Sequence, residues 1–81
     1  MYSIDDLKTF VAIAEAEGVT AGARRVGISP ATASHRRGKL EAALQRTLFH
    51  RNSRALKLSD EGQSFFERTE AILADLAQAE R

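Results

Sequence analysis

The stretch Ser29–Glu41, SPATASHRRGKLE, constrains this chain more than any other. Serine followed by proline starts a helix: the serine oxygen caps free N–H groups, and proline takes the first helical position, where a donor is not needed. At about 3.6 residues per turn, Ala31, Ser34, His35 and Gly38 share one face, and Ala33, Leu40 and Leu44 share the opposite one. Thr32, Arg36 and Lys39 form a flank between them. An apolar back, a small polar front and a basic flank suit a helix that enters a DNA groove while its rear packs on a scaffold.

The preceding residues read as the partner of that helix. Thr20 is expected to cap a short helix reaching about Val26, and Ala21, Gly22 and Ala23 are small enough for a close helix crossing. Gly27-Ile28-Ser29 then forms the turn of a helix-turn-helix, with Ile28 directed back into the core. Plain helical hairpins share the small residues; the basic flank of the second helix distinguishes this one. The recognition helix is expected over residues 30–45. Gly38 within it costs about 1 kcal/mol relative to alanine and permits close approach of a backbone on the outward face. Arg37 falls at the edge of the apolar back, so its stem is expected to pack while its guanidinium reaches solvent.

Residues 3–17 read as a scaffold helix. Ser3 and Asp6 form a capping-box-like start, Ile4, Leu7, Phe10, Val11 and Ala14 form a core stripe, and Gly18 fits the left-handed terminator. Residues 49–58 read as a β wing: Leu48-Phe49-His50 and Leu56-Lys57-Leu58 flank the polar turn Asn52-Ser53-Arg54-Ala55. Arg51 and Arg54 are placed to reach phosphates or a minor groove. Ser59 caps a last helix whose Phe65, Thr69, Ile72, Leu73 and Leu76 form the expected self-association face. Phe65 and Phe66 also plug the domain core. Ile72, Leu73 and Leu76 lie beyond what so small a domain can cover.

Charge supports a polyanion partner. Residues 1–23 carry a net −3, residues 24–57 carry +8 with Glu41 as their one acid, and residues 58–81 carry −4. Such an excess in the middle third exceeds what solubility needs. With 81 residues and no cysteine, neither a disulfide nor a thiolate metal site supplements the core, which favours helix packing and oligomerisation. The start MYSI shows no leader or apolar span, so a cytosolic setting without membrane contact is expected. An enzyme is not expected: His35 and His50 lack metal-ligand spacing, and no phosphate-cradling glycine loop occurs. The rival reading is a helical protein-interaction or dimerisation module without DNA reading, whose binding would ignore salt.

The order and spacing of Leu7…Phe10-Val11-Ala12…Ala14, Thr20…Ala23…Val26, Ile28-Ser29-Pro30, Ser34, Leu40-Glu41…Leu44, Leu48-Phe49…Arg51…Arg54 and Leu58-Ser59…Gly62 closely resemble the N-terminal region of LysR-type transcriptional regulators. The resemblance covers nearly the whole chain. It implies a mainly α winged helix-turn-helix: a three-helix core with a short two-stranded wing over residues 1–58, then a long linker and dimerisation helix over 59–81. Pro30, Ala31, Ser34 and His35 would face bases, Thr20 and Thr32 the DNA backbone, and Arg54 the wing contact. Ser29, Arg36, Lys39 and Arg51 complete the expected DNA-binding set. The implied partner is double-stranded DNA with a palindromic operator, bound by a homodimer, with higher oligomers in a full-length protein of the bacterial nucleoid. No cofactor is implied for this region, and the family's effector-binding domain lies outside these 81 residues. The chain departs from the family pattern at several positions. His35 replaces the commoner arginine, and one imidazole cannot make a bidentate guanine contact. Arg37 and Ala33 stand where larger aliphatics are usual, Gly22 where alanine is usual, and Gln45 where glycine is usual. These departures bear on core packing.

Overall fold

Four helices, α1 (Ile4–Ala16), α2 (Val19–Val26), α3 (Pro30–Leu44) and α4 (Asp60–Ala79), follow in order in the computed structural model, which describes residues 1–50 and 56–81. α1 is the hub, packing against each of the other three. Its start follows from local chemistry: Ser3 Oγ accepts the Asp6 N–H, and Asp6 Oδ2 accepts the Ser3 N–H at 2.8 Å. Two free N–H groups are thereby satisfied in one reciprocal box.

The buried face of α1 is rotated from the apolar stripe expected from periodicity. Asp6, Thr9, Phe10, Ala12 and Ile13 are buried, whereas Leu7, Val11 and Ala14 are only half-buried and Ile4 is exposed. Two polar side chains sit at the interior because cations from α3 meet them there. Lys39 Nζ lies 2.9 Å from Asp6 Oδ2, and Arg36 donates to Thr9 Oγ1 at 3.2 Å, while that hydroxyl donates to Asp5 C=O. Burial opposes ionisation of Asp6, but hydrogen bonds from Lys39 and the Ser3 N–H, together with the Lys39 charge, outweigh it. The carboxyl pKa therefore lies below its ordinary value.

The α1–α2 corner differs in detail from the sequence expectation. Glu17, not Gly18, takes the left-handed conformation at φ 56, and Gly18 is extended at φ −176 and acts as the N-cap of α2. Thr20 is accordingly inside the first turn of α2 rather than its cap. The earlier start brings Val19 onto the core, and it leaves the Glu17 carbonyl turned outward to accept the Leu56 N–H at 3.1 Å. Ala23 is buried as the helix crossing requires. Gly22 is tighter still: a Cβ there would come within 2.6 Å of the Ile13 Cα, so the absence of a methyl sets how closely α1 and α2 approach. Gly27 makes the expected left-handed turn at φ 73, and α3 begins on the Ser29 cap with Pro30 in its first turn. Gln45 ends α3 at φ 54, an L-residue in the conformation glycine usually supplies.

Beyond α3 the expected two-stranded wing is represented, among the described residues, by one antiparallel bridge between Phe49 and Leu58, closed by hydrogen bonds from the His50 N–H to the Lys57 carbonyl at 2.8 Å and from the Ser59 N–H to the Leu48 carbonyl at 2.9 Å. Groups beside the bridge bond outside the pair, the Leu56 N–H to the Glu17 carbonyl and the Leu48 N–H to Glu41 Oε2 at 2.8 Å. Ser59 starts α4 as expected, accepting the Gly62 N–H and donating to the Thr47 carbonyl. α4 presses on this junction so closely that a Cβ on Gly62 would lie 1.9 Å from the Leu48 oxygen. Phe10 joins the parts, with its ring edge-on to Phe49 at 5.5 Å, Phe65 at 5.4 Å and Phe66 at 6.3 Å.

Gly62→Ala is expected to destabilise the chain despite alanine's helix advantage, whereas Gly38→Ala, which meets open space, is expected to stabilise it by about 1 kcal/mol; urea midpoints decide both. Phe10→Ala is expected to cost about 3–5 kcal/mol in the same assay. A carboxylate whose folded pKa is depressed contributes stability above its unfolded pKa and loses it as pH falls through the folded value. Urea midpoints are therefore expected to drop as pH falls below the ordinary aspartate range, and the drop is expected to be shallower in Asp6→Asn.

Candidate nucleic-acid interface

α3 divides as its sequence predicts. Ala33 and Leu40 are fully buried against α1 and the wing base, and Leu44 is half-buried. Pro30, Ala31, Thr32, Ser34, His35 and Gly38 are exposed. Nothing lies within 4 Å of where a Gly38 Cβ would be, so this front can approach another surface closely. The Ser29 hydroxyl is engaged locally: it accepts the Thr32 N–H at 3.1 Å and donates to Thr32 Oγ1 at 2.9 Å. That pair rigidifies the leading edge of the helix. Thr20 is exposed in the first turn of α2, a turn without a side-chain cap.

The basic flank is placed differently from the front. Arg36 and Lys39, expected among the DNA-binding residues, lean onto α1 and make the polar seam with Thr9 and Asp6. Lys39 remains 41% exposed, so its charge still contributes to the surface field. Arg37 keeps 26% of its side chain exposed but is not free: it pairs with Glu41 at 2.8 Å, and its Nε is buried with no partner among the described residues. Glu41 thereby links α3 to the wing base, holding Arg37 with one oxygen and the Leu48 N–H with the other. Further cations of the middle segment meet acids from the chain's two ends: Arg25 with Glu15 at 3.5 Å, Arg46 with Glu61 at 3.6 Å, and Lys57 with Glu17. The acidic flanks thus fold onto the basic centre, which reduces the net field that the charge run alone suggests. These three pairs are exposed and individually weak.

Arg51 and Arg54 lie outside the described residues. Of the expected self-association face, Phe65 packs on Phe10 and Thr69 is buried within the single chain. Ile72 is 58% exposed, and Leu73 and Leu76 are half-exposed along the outer part of α4. Among the described residues no cluster of three metal-ligating side chains occurs, and no helix is long and apolar enough to cross a membrane. Asp6, Thr9 and Glu41 brace α3 and Glu17 contacts Leu56 and Lys57; none of the four is among the expected site residues. Only Asp6 carried a local signal, and it pointed to capping. The Glu17–Lys57 pair spans 40 residues in sequence, beyond the reach of any periodicity.

Comparison with known proteins agrees with this geometry. A family model described as bacterial regulatory helix-turn-helix protein, lysR family, matches residues 4–63. The HTH-type transcriptional regulator DmlR of Escherichia coli K12 is 36% identical over 75 residues, covering 93% of this chain and 24% of that protein. The glycine cleavage system transcriptional activator of the same strain is 35% identical over 78 residues, covering 96% of this chain and 26% of that protein. The chain thus spans about a quarter of the length of these curated relatives. Among solved structures, the BenM DBD in complex with catB site 1 DNA superposes with a TM-score of 0.92 at 28% identity, covering 95% of this chain and 86% of that one. The CbnR DBD–DNA complex gives a TM-score of 0.88 at 31% identity, covering 95% and 88%. Fold, spacing and sequence converge: this chain belongs to the LysR family of bacterial regulatory helix-turn-helix proteins.

Proposed function

We propose that this chain binds double-stranded DNA sequence-specifically, as the DNA-binding portion of a LysR-type transcriptional regulator. The observation that carries the reading is the exposed, small front of α3 on a back buried down to Ala33 and Leu40. With no bulky side chain at Ala31, Ser34 or Gly38, the helix can sink deep into a major groove. Its neighbours in fold, the BenM and CbnR DBDs, are seen with DNA, which supports the same use here.

In this reading Pro30, Ala31, Ser34 and His35 meet base edges, with Ser34 as the hydrogen-bonding reader. Ser29, Thr32 and Thr20 face the phosphates, and the uncapped first turn of α2 adds N–H groups of the kind that bind anions. Arg36 and Lys39 act chiefly through their charge, since their side chains brace α1. Arg51 and Arg54 supply the wing's contact with the flanking minor groove. Residues 1–58 form the reading unit, and residues 59–81 form a dimerisation helix joined through Ile72, Leu73 and Leu76. Two-fold pairing would present two recognition helices to a palindromic operator. A cytoplasmic regulator on the bacterial nucleoid, able to form higher oligomers in a longer protein, completes the proposal.

Selection of duplexes from a random pool, with sedimentation of the same sample, tests it: a palindromic motif bound by two chains is expected. Log K is expected to fall linearly with log[salt], at about −0.9 per phosphate contacted; salt-independent association would favour a protein-interaction module instead. Ser34→Ala is expected to relax sequence preference by about 1–3 kcal/mol, and equal weakening on every duplex would exclude it as a base reader. Leu76→Glu is expected to halve the sedimenting mass.

A further inference from the structure

The return arm of the wing is held at a point that no sequence pattern marks. Glu17 sits at φ 56, ψ 36, a left-handed conformation that crowds any residue with a Cβ and that glycine favours. The glycine beside it, Gly18, occupies an extended conformation that any residue can adopt. A carboxylate is thus kept at the strained position although glycine would relieve it. Outliers of this kind point toward function when the side chain has something to do. Here both ends of Glu17 engage the same short arm: its carbonyl accepts the Leu56 N–H at 3.1 Å, and its Oε2 pairs with Lys57 Nζ. The next residue, Leu58, bridges to Phe49, so the clamp lies where the wing rejoins the core.

We propose that Glu17 is a positioning residue for DNA binding. It ties the return arm of the wing to the corner between α1 and α2, and so sets the separation between the wing and the front of α3. This rests on the reading that α3 and the wing engage one duplex together. Among the described residues the arm meets the core at the Phe49–Leu58 bridge, and Glu17 adds a second attachment from the α1–α2 corner.

The role has a sign of its own. Glu17 is an acid, and removing it makes the chain more positive, which by charge alone strengthens attraction to phosphates. Removing it also relieves a strained backbone. The clamp predicts the opposite for binding: a more positive, unstrained variant that holds DNA less well.

The test uses the 81-residue chain and the duplex most enriched from the random pool. E17G is expected to melt no lower than the parent and to bind that duplex about two- to five-fold more weakly, the scale an exposed ion pair can supply. K57E alone is expected to bind more weakly as well, and the swapped double variant E17K/K57E to return close to the parent's affinity. Unchanged or tighter binding by E17G overturns the proposal. So does a double variant no better than K57E, which would make Lys57 a direct phosphate contact. Weaker binding with a lower melting temperature assigns Glu17 to stability and overturns it too. A parent chain that binds no duplex in a salt-dependent way overturns the functional reading itself, and the positioning role falls with it.

Discussion

Phe10 is where otherwise separate parts of the chain meet. Its ring is fully buried and edge-on to Phe49 at the wing base and to Phe65 and Phe66 at the start of α4. Edge-to-face rings add directional attraction to the apolar burial that any core residue provides. In a chain this short few side chains can be wholly interior, so the placement of α4 and of the wing is referred to one ring on α1. Because α3 packs on the same helix, the recognition surface shares that origin.

A polar seam completes what the rings begin. Lys39 on Asp6 and Arg36 on Thr9 lock the recognition helix to α1 from its flank. Glu41 ties the helix forward to Leu48, and Glu17 ties the returning arm back to the α1–α2 corner. The division of charge into an acidic, a basic and an acidic third thus has two meanings. Part of it is attraction for a polyanion, and part is the chain's own ends folding onto its centre. The exposed Arg25–Glu15 and Arg46–Glu61 pairs contribute little to stability, so those two arginines can turn toward phosphates at small cost.

Much of the fold was legible in the residues. Ser3, Ser29 and Ser59 start three helices as their caps dictate, Gly27 makes the turn, and the front and back of α3 separate as the helical wheel predicts. The misreadings share one cause. The apolar stripe of α1 looked continuous through Ile4 and Val11, but the helix is turned so that Asp6 and Thr9 face α3, whose cations make that burial favourable. Gly18 looked like the terminator, but the left-handed residue is Glu17, whose carbonyl meets Leu56. Thr69 looked like part of an outward stripe, but a helix stripe does not say which neighbour covers it, and the chain's own core does.

What the sequence by itself determined was local: where helices begin, where the chain turns, and which side of α3 is small and polar. Those features depend on residues three or four apart, whose geometry the helix sets. Only the tertiary structure decided which cations are engaged internally, how closely Gly22 and Gly62 let helix and backbone approach, and what holds the wing. Such contacts join residues tens of positions apart. They depend on packing around Phe10, so no spacing along the chain announces them. The recognition helix is therefore written in thirteen consecutive residues, Ser29–Glu41, but its orientation comes from Asp6, Thr9 and Leu48, because a helix can read a groove only from a fixed base.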